Sequence, residues 1–220
     1  MGIITLIATG HTERGICNSL ELYKIIEQVA PQVIFEEVPP SKFEAVYDGK
    51  RGDSLETKTI KRYLQKYTVK HFPIDLDTSE MEEKSVRNKW NQMALVFNLQ
   101  SNEYINLLEQ HDLLTERLGF PYLNSCQCTD SLERKRCLEE EIVRNLNHAP
   151  LSGGYNDWLH FNDQRENEMI RSIYRYSTSN KYDRALVLIG AEHRKPLMEK
   201  IARFEYGKLE GLQWTFDYFS

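Results

Sequence analysis

The opening 38 residues constrain the fold more than any other stretch of the chain. Ile3 to Thr9 is a short β-branched run between Gly2 and Gly10, which predicts a buried strand. Asn18-Ser19-Leu20-Glu21 follows with a capping-box pattern, after which Leu22, Ile25, Ile26 and Val29 recur at helical spacing until Pro31. Val33 to Val38 is a second apolar run. Strand, helix and strand so close together make a βαβ unit, and that connection joins parallel strands.

A second helix is predicted from Asp53-Ser54-Leu55-Glu56, with Ile60, Tyr63, Leu64 and Tyr67 on one face, and a third strand from Val69 to Asp75. From Ser79 the pattern is helical for about a hundred residues. Val86, Trp90, Met93 and Phe97, then Tyr104, Ile105 and Leu108, carry an apolar stripe to Gly119-Phe120-Pro121, as one long helix or two in tandem. Further helices are expected over about 131–147 and 156–177, joined flexibly by Pro150-Leu151-Ser152-Gly153-Gly154. A strand returns at Ala185 to Gly190, and a short helix follows near Pro196 to Arg203. Leu212, Trp214, Phe216 and Tyr218 alternate with polar residues, the pattern of a half-exposed, antiparallel edge strand. The expectation is one α/β domain over 1–220, with a mainly parallel central sheet, an antiparallel edge strand and a large all-helical insertion at about 78–180.

Composition narrows the function classes. Apolar residues make up 40% of the chain, below the roughly 45–50% of soluble domains, which points to long helices with wide wet faces. With 28 Lys+Arg against 33 Asp+Glu the formal charge is −5, and the basic clusters Arg134-Lys135-Arg136 and Arg194-Lys195 sit among glutamates. No nucleic-acid partner is expected from that balance. No apolar run approaches the roughly 20 residues that span a bilayer, so no membrane partner is expected either. Cys17, Cys126, Cys128 and Cys137 are too few for a disulfide scaffold and suggest a reducing compartment, the cytoplasm. Cys126-Gln-Cys128 with Cys137 lacks a fourth ligand at zinc-like spacing and reads as ordinary thiols at a helix start.

Ligands of open parallel sheets bind beyond the carboxyl ends of the strands. Those ends carry Thr9-Gly10-His11, Glu36-Glu37, Asp75-Leu76-Asp77 and Gly190-Ala191-Glu192-His193. Two histidines at equivalent strand ends, with carboxylates between, mark a polar centre. Asp75 and Asp77 either join it or cap the following turn, and His71, beside Phe72, reads as structural. His148 and His160 stand in or near the insertion, where no spacing assigns them a role. Arg165 is an independent signal: at ~100° per residue, Trp158, Phe161, Met169 and Tyr176 lie within roughly 40° of it, so a charge stands on an apolar stripe. Its guanidinium cannot be neutralised and requires an anion, from substrate or from Asp163 or Glu37, unless it reaches solvent. Neither a G-x-S-x-G elbow nor a phosphate-cradling glycine loop is present.

These residues resemble the TraB/Tiki/erythromycin-esterase/ChaN-like superfamily in order and spacing. They are a His closing the first strand, the P-x-V-x-x-E-E of Pro31 to Glu37, the R-x-x-x-M of Arg165 to Met169, and the late G-x-x-H of Gly190 to His193. The likeness covers the sheet elements and one insertion helix, and the first motif carries Ala8 where the family pattern has Gly. The resemblance implies an active centre of His11, Glu37, Arg165 and His193, with Glu36 as a substitute for Glu37, since only one of the pair can face the site. It also implies a hydrolase of a small-molecule or peptide substrate, or a binding or signalling protein that uses the same cleft for haem, a metal or a peptide. Two chemistries fit such a set. In one, His11, His193 and Glu37 hold a divalent Zn, Mn or Fe ion that activates water. In the other, no metal takes part: a His oriented by Glu37 acts as acid or base, and Arg165 with the other His stabilises the oxyanion. Trp90, Tyr104 and Trp158 would wall a planar ligand, or simply pack.

Overall fold

β1 (Ile3–Thr9) and β4 (Arg184–Gly190) are buried at every residue after the first. Strands buried on both faces belong inside a sheet covered on each side. In the computed structural model, which describes residues 2–49, 53–205 and 211–219, these strands pair in parallel from Ile3 opposite Arg184 to Thr9 opposite Gly190. β2 (Val33–Glu36) lies on the far side of β4, β3 (Lys70–Pro73) lies beyond β2, and β5 (Gln213–Thr215) flanks β1. Among the described residues the order is β3-β2-β4-β1-β5, and every pair is parallel.

The antiparallel edge strand is therefore corrected: β5 runs parallel to β1, opposite Ile3 to Thr5. Alternation reports which face of a strand is wet and is blind to direction. Direction is set by α9 (Ala191–Glu205), a crossover helix that carries the chain back to the end where β1 begins. Because β5 ends at Thr215, opposite Thr5, Ala8 has no strand on that side among the described residues. Asn124 fills the gap, accepting from Ala8 N at 2.8 Å through Oδ1 and donating to Ala8 O at 3.1 Å through Nδ2.

Alternate strand residues face two cores. Ile7, Ile34, Leu186 and Leu188 pack against α1 (Ser19–Val29), α3 (Leu55–Leu64) and α6 (Phe120–Leu123). Ile4, Leu6, Phe35, Val187 and Ile189 pack against α9 and the second half of α8 (Ala149–Ser179). The caps read from sequence are in place: Asn18 accepts from Leu20 N and Glu21 N, and Ser54 from Thr57 N. A short α2 (Pro40–Tyr47), which the sequence pattern did not announce, buries no residue of its own.

The helical stretch has a third core, in which Met93, Phe97, Tyr104, Leu138, Ile142, Leu151 and Tyr155 meet. It is built by α4 (Glu80–Gln100), α5 (Asn102–Leu118), α7 (Cys126–Leu146) and the start of α8. The tandem reading holds: Ser101 ends α4 and caps α5 by accepting from Tyr104 N at 3.1 Å. The flexible joint at 150–154 does not exist; those residues are the first turns of α8. Pro150 stands where a helix needs no N–H, and His148 caps the end by accepting from Leu151 N at 3.3 Å. α7 likewise starts earlier than expected, at Cys126. Pro196 lies inside α9 and cannot donate to Glu192 O; Arg136 Nη2 of α7 donates instead, at 2.7 Å. Among the described residues no helix is long and apolar enough to cross a membrane, and all four cysteines are free thiols.

Phe35 tests this layering. It has no exposed surface and meets Phe72, Tyr176 and Tyr182 edge to face. Phe35→Ala is expected to lower stability by about 3–5 kcal/mol, read as a shifted urea midpoint by circular dichroism.

Candidate functional site

β2, β4 and β1 are neighbours, so their carboxyl ends bring Glu37, Gly190 and His11 together, and the first turn of α9 adds His193. His11 follows β1 in a left-handed conformation, φ 57°, a region in which His is tolerated better than most residues. The first turn of α3 holds it there. Leu55 N donates to His11 O at 2.9 Å, and His11 N donates to Glu56 Oε1 at 3.2 Å. The ring lies over the end of β4, where Gly190 is required: a Cβ there would stand 2.5 Å from His11 Nε2.

Glu37, not Glu36, faces this centre. Glu37 accepts from Gly190 N at 2.6 Å and from Arg165 Nη2 at 2.6 Å, and its oxygens stand 3.7 Å from His11 Nε2 and 3.4 Å from His193 Nε2. Glu36 points to the opposite side of the strand, where it accepts from the Tyr47 hydroxyl and pairs with His71 Nδ1 at 2.8 Å. Burial alone would push the Glu37 carboxyl up, but the charges of His11 and Arg165 and the Gly190 N–H hold it well below the usual carboxylate range.

Arg165 takes protein anions as its partners. Nε and Nη2 donate to Asp75 at 3.0 and 2.8 Å, Nη2 also to Glu37, and Nη1 to Asn162 Oδ1 at 3.4 Å and His193 Nε2 at 3.1 Å. A guanidinium only donates, so His193 Nε2 accepts and Nδ1 carries the proton given to Glu166 Oε1, at 3.0 Å. Asp75 therefore belongs to the centre as a partner of Arg165. Asp77 instead accepts from Ser41 N at 3.2 Å, in the first turn of α2.

His11 differs from the others in exposure: 49% of its side chain is open, against 18% for Arg165, 9% for His193 and 7% for Glu37. Burial of the ring lowers its pKa, but the hydrogen bond to Glu56, with Nδ1 and Oε1 3.2 Å apart, and the charges of Glu37 and Glu56 raise it to about 9. Its ring is thus cationic at neutral pH. Thr9 Oγ1 also donates to Glu56, fixing the carboxylate. With the folded pKa above the ordinary 6.5, the stability this contact adds is fully present below about 6.5 and lost as pH rises through about 9.

Two cavities share His11, Glu37, Arg165, Trp90 and Trp158, one of about 400 Å³ and one of about 660 Å³. Trp90 and Trp158 stack on each other with centroids 4.4 Å apart. Tyr104 lies elsewhere, in the core of the helical stretch, donating to Glu139 at 3.1 Å. Sequence reasoning missed Glu56 and Glu166. Glu56 was absorbed into the capping pattern of α3, and Glu166 stands beside Arg165, where the helical wheel drew attention to the arginine alone.

The expected metal set does not suit an ion. The cation between Glu37 and His193 is the Arg165 guanidinium, which already occupies the His193 Nε2 lone pair. Among the described residues no group of three or more His, Cys, Asp or Glu side chains is disposed to hold a metal. Compared with known proteins, the sequence matches no family model and no curated protein, and the structure matches no solved one.

Two measurements probe the site without a substrate. Arg165→Ala leaves Glu37 and Asp75 buried without their cation, and a loss of about 3–5 kcal/mol in urea unfolding is expected. Glu56→Gln removes the main support of the His11 charge, so the NMR titration midpoint of that ring, about 9 in the parent, should fall toward 6.5.

Proposed function

We propose that this chain is a hydrolase of an ester- or amide-linked substrate, allied to the TraB/Tiki/erythromycin-esterase/ChaN-like superfamily, and that it works by acid–base chemistry on His11. One observation carries the reading: His11, the most exposed side chain of the cluster, lines both cavities, with Nδ1 held by Glu56 and Nε2 3.7 Å from the buried Glu37 carboxylate.

A cationic ring at that place is a proton donor. Glu37 orients a water against the substrate carbonyl, and His11 stabilises the developing oxyanion and then protonates the leaving heteroatom. The water oxygen joins the acyl carbon while the acyl–heteroatom bond breaks. The proton released by the water passes to Glu37 and, across the 3.7 Å contact, restores His11. His193 and Arg165 position Glu37: their groups are bound to Glu166, Asp75 and Asn162 and leave no donor for a substrate. Arg165 is thereby assigned to building the centre, in place of the substrate anchor that the sequence suggested.

A non-catalytic binding role for the same cleft is the second reading, favoured by the stacked Trp90 and Trp158 on the shared wall. An ester and amide library distinguishes the two. His11→Ala and His11→Asn are expected to lower kcat/KM by about 100-fold or more, with the circular dichroism spectrum of the parent retained. For a donor, kcat/KM falls as pH rises through about 9 and stays level below it. Equal turnover in both variants, or a rate that climbs through that pH, defeats the proposal.

A further inference from the structure

Two segments of the helical stretch, Asn91 to Asn102 and Asn145 to Asn156, contain no Asp, Glu, Lys or Arg, although 28% of the chain is charged. The fold brings them together. The first is the second half of α4, the second is the end of α7 with the start of α8, and a Cβ at Gly154 would stand 3.5 Å from Met93 Sδ. Their inner sides fill the third core. Their outer sides leave a groove of about 740 Å³, lined by Gln92, Met93, Val96, Leu146, Pro150 and Leu151. Lys89 and Asp157 stand at one end of it and pair with each other at 2.7 Å.

Leu99 and Leu95 border the groove on α4. At ~100° per residue Leu99 lies about 20° from Gln92, and Leu95 about 40° from Leu99. They are 83% and 64% exposed. Met81 gives the contrast: it is as exposed as Leu99 but stands between Glu80 and Glu82, a single apolar side chain among charges. Gly153 deepens the groove on the α8 side. Glycine disfavours a helix interior relative to Ala, and a Cβ there would meet nothing within 4 Å, so no contact inside this chain demands the glycine.

We propose that this groove is the contact between two copies of the chain related by a two-fold axis, with Leu95 and Leu99 of each copy seated in the groove of the other. Charge decides the partner. In a two-fold contact a patch meets itself, so any surplus charge on it faces the same surplus and is repelled. The chain carries −5, and the α4–α8 face is a place where such an acidic protein meets its own copy without that penalty. Exposed leucines with charged residues depleted are also the composition of an interface core, whereas a strongly charged partner would find no counter-charge to gain. Among the described residues the groove shares no lining residue with the two cavities at His11, so the inference is independent of the reaction proposed there.

Sedimentation equilibrium tests the contact. At about 50 µM chain, a Kd of about 1 µM leaves most of the protein dimeric, and the parent is expected at twice the monomer mass. The same mass is expected at about 0.1 M and about 1 M NaCl, because no ion pair holds the contact. Leu95→Glu/Leu99→Glu, with the circular dichroism spectrum of the parent, should weaken association by about 100-fold or more. Leu95→Gln/Leu99→Gln, which adds no charge, should weaken it by about tenfold. Met81→Glu should leave the dimer intact. A parent that is monomeric at about 50 µM, a dimer that dissociates at the higher salt, a dimer unchanged in both double variants, or loss of the dimer in Met81→Glu as well overturns the proposal. A monomeric parent that binds anilinonaphthalene sulfonate, and loses that binding in the double variants, gives the groove to a different partner and overturns the second copy.

Discussion

A buried guanidinium between two buried carboxylates is the interaction on which the centre depends. Arg165 cannot shed its charge, and Glu37 and Asp75 are even more removed from water than their partner. Any one of the three alone would be prohibitively placed; together they neutralise one another. The arrangement also joins distant pieces of chain, since Glu37 follows β2, Asp75 follows β3 and Arg165 comes from α8. Glu37 is thereby held rigidly where the two histidines meet it.

Much of this was legible in the sequence because it rests on local rules. The βαβ opening required parallel strands, and parallel strands put their functional groups at one end, which singled out His11, Glu37 and His193. Arg165 was visible as a charge on an apolar stripe. The capping pattern at Asn18 was visible too, as were the helix starts near Ser54 and Ser79, where the structure places caps. What escaped was set by contacts between distant segments. β5 carries the alternation of an edge strand, but its direction follows from the crossover before it. The glycines at 153 and 154 look like a joint, yet the His148 cap and the packing of Met93 beside Gly154 keep them helical. Glu56 and Glu166 follow ordinary helical patterns, and only the fold places each against a histidine ring.

The two histidines share a design with opposite outcomes. Each has Nδ1 against a glutamate, Glu56 for His11 and Glu166 for His193. The other nitrogen decides the difference. On His193 it accepts from Arg165 and is closed off; on His11 it stands in the cleft, with carboxylates on both sides of the ring. The same side chain thus serves once as an internal strut and once as an open, charged face.

Asn124 gives the helical stretch a meaning that its position in the sequence conceals. One amide, from the turn after α6, supplies to Ala8 both bonds of an absent strand. The sheet is therefore unfinished without residues that lie more than a hundred positions downstream of the strand they complete. A lineage of proteins sharing this architecture could vary the helices freely on their outer surface, but could not exchange or delete the stretch as a cassette. An attempt to graft it onto another sheet, or to express the sheet without it, would leave both Ala8 backbone groups without the Asn124 amide.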